Sequence, residues 1–263
     1  MPAAATLCLT FDNMGRAREI AEGLASAPDP LEPGLAIGYP RILGLLDELG
    51  LRGTFFIEGW NGLHHPERVQ ELAARGHEVG LHGWIHEKFG DLDKRKTEQL
   101  LQDGTASLVR LGIRPAGFRA PRALRGPYAV DILRSLGYRY DSSTETQMEA
   151  DATGADYYSV TPGLLAPGLA HIPWRYAMVD SMQYLRHPVR PRTPDELEAS
   201  WLAALDRVAE TGGTTTVVIH AFVSGVDDAR FAVVKNFLTH ARKLNIEIIT
   251  AGALAERVFG RTS

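Results

Sequence analysis

The sequence predicts an α/β fold in which seven or eight strand–helix units form a closed or nearly closed (β/α) barrel, in one domain spanning residues 1–263. Three observations predict it. Apolar strand-like runs alternate with helical patterns along most of the chain, the length suits a single barrel, and a polar or aromatic residue stands at the end of nearly every run. A doubly wound open sheet is the rival architecture.

The elements follow in order. "ATLCLTF" (5–11) reads as a buried strand, and "YPRILGLLDELG" as a helix whose Ile42, Leu43, Leu45, Leu46 and Leu49 share one face, closed by Gly50. "RGTFFIE" and "PERVQELAARG" repeat the unit, followed by "HEVGLH" and a long polar helix from about Asp93 to Leu111. "AGFRAP", "YAVDILRSLG" and "YRYDSS" come next. "AHIPW" then leads to a helix near Asp195 to Glu210, and "TTTVVIH", "DARFAVVKNFLTHARKL" and "IEIIT" complete the chain. Residues 16–38 break the alternation with Pro28, Pro30 and Pro33, and are expected to form a loop over the barrel mouth. Residues 142–170 are a second irregular stretch expected on the same face.

Composition narrows the function. A formal net charge of −4 without a basic stripe argues against nucleic-acid binding, and no amphipathic or spanning run argues for a membrane partner. "MPAAATLCLTF" lacks a basic leader region, so a cytoplasmic protein is expected. Cys8, the sole cysteine, excludes an intramolecular disulfide and reads as a core filler within its strand.

The ends of the runs carry Asp12 and Asn13, Glu58, His82, Arg119, Asp141, Trp174 and His220. In a barrel these ends share one face, so residues distant in sequence gather around one pocket at a desolvation cost that stability alone does not require. "HGWIH" adds His82 and His86 at i and i+4, a spacing that on a helical turn lets both imidazoles reach one Zn²⁺-like ion about 2 Å away. His64, His65, His77, His171, His187 and His240 read as surface or structural. Trp84 and Trp174 are candidates for stacking on a sugar ring, Trp60 less so, with core packing as the alternative. Arg122 could bind an anionic substrate group or be a solvated loop residue.

"LTFDN", "TFFIEGWN", "HPERVQELAARGHEVGLHGWIHE", "GFRAPR" and "VVIHAF" resemble, in order and over nearly the whole chain, the motifs of the NodB-like polysaccharide deacetylases, carbohydrate esterase family 4. "HIPWRYAMVDSMQY" is similar to the branch containing allantoinase-type proteins and some peptidoglycan deacetylases, whose allantoinase-like members often form homo-oligomers. The resemblance implies a distorted (β/α) barrel and a hydrolase that removes acyl groups with a divalent metal, zinc above all. It implies Asp12 as catalytic base, His82 and His86 as metal ligands, Arg119 as the residue orienting the base, and His220 as the acid that protonates the leaving amine. Asp180 falls where some members carry an acid that tunes this histidine, within the expected substrate-binding set of Trp84, Arg122, Trp174 and Asp180. Asn13 occupies the place of the family's ligand aspartate. An amide offers a dipole where a carboxylate offers a charge, so three outcomes follow: Asn13 ligates through its oxygen, Asp12, Glu58 or Glu87 substitutes, or the site is metal-free. The expected substrate is a small-molecule or oligosaccharide N-acyl compound, most simply an amino-sugar derivative. A small non-sugar amide or ureide, and a metal-free carbohydrate-binding protein without chemistry, are the alternatives.

Overall fold

A computed structural model describes residues 5–145 and 158–260. The strands among these residues are β1 (Ala5–Asp12), β2 (Thr54–Ile57), β3 (Glu78–Leu81), β4 (Gly117–Phe118), β5 (Tyr140–Asp141), β6 (Gly163–Ala166), β7 (Leu169–His171), β8 (Gly213–Ile219) and β9 (Glu247–Ile249). They form one sheet in the order β6-β7-β5-β4-β3-β2-β1-β8, with β9 also paired to β1. Every pairing is parallel except that of β6 with β7. The sheet curls into a distorted barrel. Among the described residues, single bridges from Val160 to Thr214 and from Val179 to Val218 span the gap beyond β8.

The strands read as continuous buried runs because helices cover the outside of the sheet and side chains fill the inside. β1 is buried from Thr6 to Asp12. Phe56, Tyr140 and Cys8 are fully buried in one cluster, and burial pushes the Cys8 thiol up to about 12, confirming a core role for it. Gly117 is required here, since a Cβ would sit 1.9 Å from the Tyr140 ring.

The helices begin where the sequence signals them. Asp93 caps Lys94–Val109 by accepting from the Lys96 amide at 2.7 Å, and Thr193 with Glu196 forms a reciprocal capping box on Pro194–Thr211. The expected mouth loop contains a short helix, Ala17–Ala21. Of the irregular stretch 142–170, residues 146–157 lie outside the described residues, and the remainder includes β6. Among the described residues no helix is long and apolar enough to cross a membrane.

Register is what brings the polar ends together. The last β1–β8 pair is Phe11 with Ile219, so the next residues, Asp12 and His220, emerge on adjacent strands. Leu81 pairs with Phe118, so His82 and Arg119 emerge likewise, and Phe118 pairs with Asp141, which places Ser142 beside Arg119.

Candidate active site

Asp12 and Arg119 form the base of the site. Arg119 is 1% exposed and donates from one terminal nitrogen to Asp12 Oδ1 at 2.6 Å and to Thr10 Oγ1 at 2.9 Å. Its other nitrogens donate to the Ser142 carbonyl at 3.1 Å and the Ser142 hydroxyl at 2.7 Å, and its guanidinium lies 4.3 Å from the Phe56 ring centre. A planar fork held at every nitrogen and stacked on an aromatic face has one orientation, and so does the carboxylate it grips.

His82 and His86 do not lie on a helix, contrary to the expected helical turn. "HGWIH" is a tight turn with Gly83 at φ 71° and His86 at φ 77°, closed by Glu87, whose carboxylate accepts from the Trp84 and Ile85 amides at 3.0 Å each. A turn closed on its own carboxylate replaces the helical ladder, yet it leaves the two imidazole centroids 5.4 Å apart. His82 Nδ1 bonds the Arg119 carbonyl at 2.9 Å, which requires the proton on Nδ1 and leaves Nε2 as an acceptor. Burial, reinforced by the Arg119 charge, lowers His82 to about 3, and burial with the His82 charge holds His86 well below the ordinary imidazole value. Both rings are therefore neutral bases at physiological pH. His86 Nδ1 is buried without a hydrogen-bond partner among the described residues.

Asn13 sits in the left-handed region, at φ 65°, which asparagine tolerates better than most residues. Its amide donates to the Phe56 carbonyl at 3.2 Å and its carbonyl accepts from the Tyr39 hydroxyl at 2.6 Å. The turn is fixed, and the Asn13 side chain lines the same cavity as Asp12, His82 and His86. Asp12, Glu87 and Glu58 each have a carboxylate oxygen engaged elsewhere. Asp12 is held by Arg119, Glu87 caps its own turn, and Glu58 accepts from the Met14 amide at 3.1 Å and the Asn61 side chain at 2.9 Å. Glu58 is fully buried outside the cavity lining, and burial raises it to about 8.

His220 is the counterpart of Asp12 across the β1–β8 pair. Its Nδ1 lies 2.6 Å from Asp180 Oδ1, and the Asp180 Oδ2 accepts from the His220 amide at 2.9 Å and the Ser224 hydroxyl at 2.6 Å. Asp180 is fully buried and does not line the cavity, so its expected substrate contact is corrected: it holds His220 and turns the other ring nitrogen inward.

The cavity has a volume of about 170 Å³. Arg122 and Trp174 line it, and the Trp174 indole donates to the Ser142 carbonyl at 2.8 Å. Trp84 does not line it; its ring packs on the helix Gly59–His64, close enough that a Cβ on Gly59 would lie 3.1 Å from it. Trp60 stacks on His64, with centroids 4.0 Å apart, and Asp141 pairs with Arg125 at 3.1 Å. Among the remaining histidines, His65 and His77 are buried, His171 bonds the Ser143 carbonyl, and His240 pairs with Asp206. Two further arginines that the sequence alone does not single out, Arg18 and Arg186, also line the cavity, and neither stands at a strand end.

Two neutral imidazoles, one oriented by a backbone carbonyl and the other with an orphaned buried nitrogen, fit a divalent ion with the Asn13 amide as an oxygen donor. The set carries no negative charge of its own. Among the described residues no cluster of three His, Cys, Asp or Glu side chains could hold a metal ion.

The polysaccharide deacetylase profile matches residues 2–140, and the chain belongs to that family. It is 32% identical over 110 residues to the peptidoglycan deacetylase-like protein FGM2 of Gibberella zeae, which covers 41% of this chain and 32% of that protein. The chain thus spans about a third of that relative's length. Among solved structures, one of Mycobacterium smegmatis described as a polysaccharide deacetylase matches with a TM-score of 0.82 at 26% identity, over 100% of this chain and 96% of the other. PuuE allantoinase matches with a TM-score of 0.76 at 20% identity, over 95% of this chain and 89% of the other, which is a likeness of fold.

Proposed function

We propose that this chain hydrolyses the C–N bond of an N-acyl group, as an N-deacetylase of an amino-sugar substrate, and that it works with a divalent cation, zinc being the ion its donors suit. The carrying observation is the convergence of two held pairs, Arg119 with Asp12 and Asp180 with His220, on one cavity that also contains two neutral imidazoles. Membership of the polysaccharide deacetylase family supports the same reading.

His82 through Nε2, His86 and the Asn13 amide oxygen would hold the cation, and when bound it supplies Lewis acidity toward the acyl carbonyl and the attacking water. Asp12, aimed by the Arg119 fork, takes the proton from that water as its oxygen bonds the acyl carbon. His220 sits on the neighbouring strand, its Nδ1–H given to Asp180, and delivers a proton from Nε2 to the departing nitrogen as the C–N bond breaks. The products are a carboxylic acid and a free amine. Asp180 supplies orientation, because its second oxygen is fixed by the His220 amide and the Ser224 hydroxyl.

The cavity volume of about 170 Å³ falls below the ~300–1,000 Å³ of larger ligand sites, which supports a substrate presenting one small unit at a time. The same volume keeps a small amide or ureide as the second reading. Acetate and ammonia release, measured over N-acetylated glucosamine oligomers and small ureides with zinc-loaded protein, tests both. Acetate from the sugars is expected, with none from Asp12→Asn or His220→Ala. No product from any compound, together with no zinc in the purified protein, would return the chain to a binding role.

A further inference from the structure

We propose that the substrate carries an oxyanion, a carboxylate or a phosphate, received at the cavity mouth by Arg18, Arg122 and Arg186. The inference rests on the reading of this cavity as the site of N-acyl hydrolysis.

Three separate segments deliver these guanidinium groups to one cavity. Arg18 comes from the helix Ala17–Ala21, Arg122 from the turn after β4, and Arg186 follows directly on the helix Asp180–Leu185. The balance of charge at the lining is one-sided. Arg18, Arg119, Arg122 and Arg186 line it, and Asp12, already held by Arg119, is the one acid among the described lining residues. Outside the lining, Glu22 serves both neighbours: Arg18 Nε donates to it at 3.2 Å, and Arg122 pairs with the same carboxylate oxygen. Among the described residues Arg186 has no carboxylate partner. Two of the three guanidinium groups thus share one carboxylate, and the third has none.

Two further observations show that this crowding has a cost. Partial burial, and then the positive charges of Arg18 and Arg122, hold Arg186 below the ordinary arginine value. Arg122 and Ala123 are consecutive non-glycine residues in the left-handed region, at φ 59° and 79°. Such a conformation costs roughly 1–3 kcal/mol per residue and persists where its surroundings enforce it. Here the Thr144 amide donates to the Ala123 carbonyl at 2.8 Å, and the strained turn carries Arg122 to the mouth. Like charges gathered at one opening repel and work against folding, whereas guanidinium forks bind carboxylate and phosphate oxygens in pairs. The acyl group then faces Asp12 and His220 while the anion rests at the rim.

Calorimetry with three probes tests this: N-acetylglucosamine, its 6-phosphate, and its 3-O-lactyl ether, which bears a carboxylate. At low salt at least one anionic probe should bind about tenfold or more tightly than the neutral one, with the advantage shrinking as salt rises. The better of the two identifies the anion. Arg122→Ala and Arg186→Glu should erode the advantage, and Glu22→Gln, which removes the competing carboxylate, should enlarge it. Equal affinity for all three probes, or an advantage untouched in an Arg122→Ala/Arg186→Glu double variant that melts like the parent, overturns the inference. Acetate release without anion selectivity sinks this inference alone. Anion selectivity without acetate release sinks the hydrolase reading alone.

Discussion

Asp180 holds His220 by two different atoms at once: one carboxylate oxygen lies 2.6 Å from Nδ1, and the other accepts from the His220 backbone amide at 2.9 Å. The ring is therefore fixed relative to its own strand, and its free nitrogen has one direction. Asp180→Asn preserves shape and removes the obligatory acceptor, so the ring is free to take the wrong tautomer. Steady-state kinetics on an N-acetyl sugar should show kcat reduced by about 10²-fold or more, with little change in KM. A variant as fast as the parent would remove His220 from the proton transfer.

Removing the opposite clamp should cost stability as well as rate. Arg119→Ala leaves the Asp12 carboxylate buried without its cation, a change that typically costs about 3–5 kcal/mol. Urea denaturation should report that loss. Arg119→Lys restores the charge without the fork; it should recover part of the stability and little of the activity.

Asn13→Asp should tighten metal binding, because a full negative charge joins two neutral imidazoles. Aspartate tolerates the left-handed backbone at this position as asparagine does, so the fold should be preserved. Chelator competition should show zinc affinity raised about tenfold or more, equal to ~1.4 kcal/mol. His82→Ala should lose the ion. An unchanged affinity in Asn13→Asp would remove Asn13 from the ligand set.

Glu58 makes a prediction about pH. Burial raises its carboxyl from the ordinary 4.5 to about 8, so between those values the folded protein retains a proton that the unfolded chain releases. Stability then falls as pH rises through this window, by up to ~1.4 kcal/mol per pH unit from this group. His82, lowered to about 3, acts in the opposite sense: its contribution is complete above the ordinary imidazole value of 6.5 and is lost as pH falls toward 3. Melting curves of Glu58→Gln against the parent from pH 5 to 8 isolate the first effect. The difference between the two should grow with pH, and a constant difference would show Glu58 to be ionised throughout.

The sequence revealed those parts of the site that strand register positions. Asp12 is the last residue of β1, and His82, Arg119 and His220 each follow the last paired residue of a parallel strand, positions that a pattern of buried runs with polar ends marks directly. Asp180 was harder to place because it stands at the start of a short helix and reaches His220 across 40 residues. The form of "HGWIH" was misjudged because i, i+4 spacing suits a helical turn, and the hydrogen bonds from Trp84 and Ile85 to Glu87 leave no mark in hydrophobic periodicity. Arg18 and Arg186 were missed for a related reason. Loop arginines look alike in sequence, and only the folded chain shows which of them share an opening.

Strand β1 pairs with β8 along its length, with β2 near its carboxyl end and with β9 near its start. The strand that ends in the proposed base is thus tied to three others, and its amides should be among the slowest in the protein to exchange with deuterium. Strand β1 should open only with the sheet around it. On heating, loss of turnover should therefore coincide with cooperative unfolding, without an earlier inactivated but folded state.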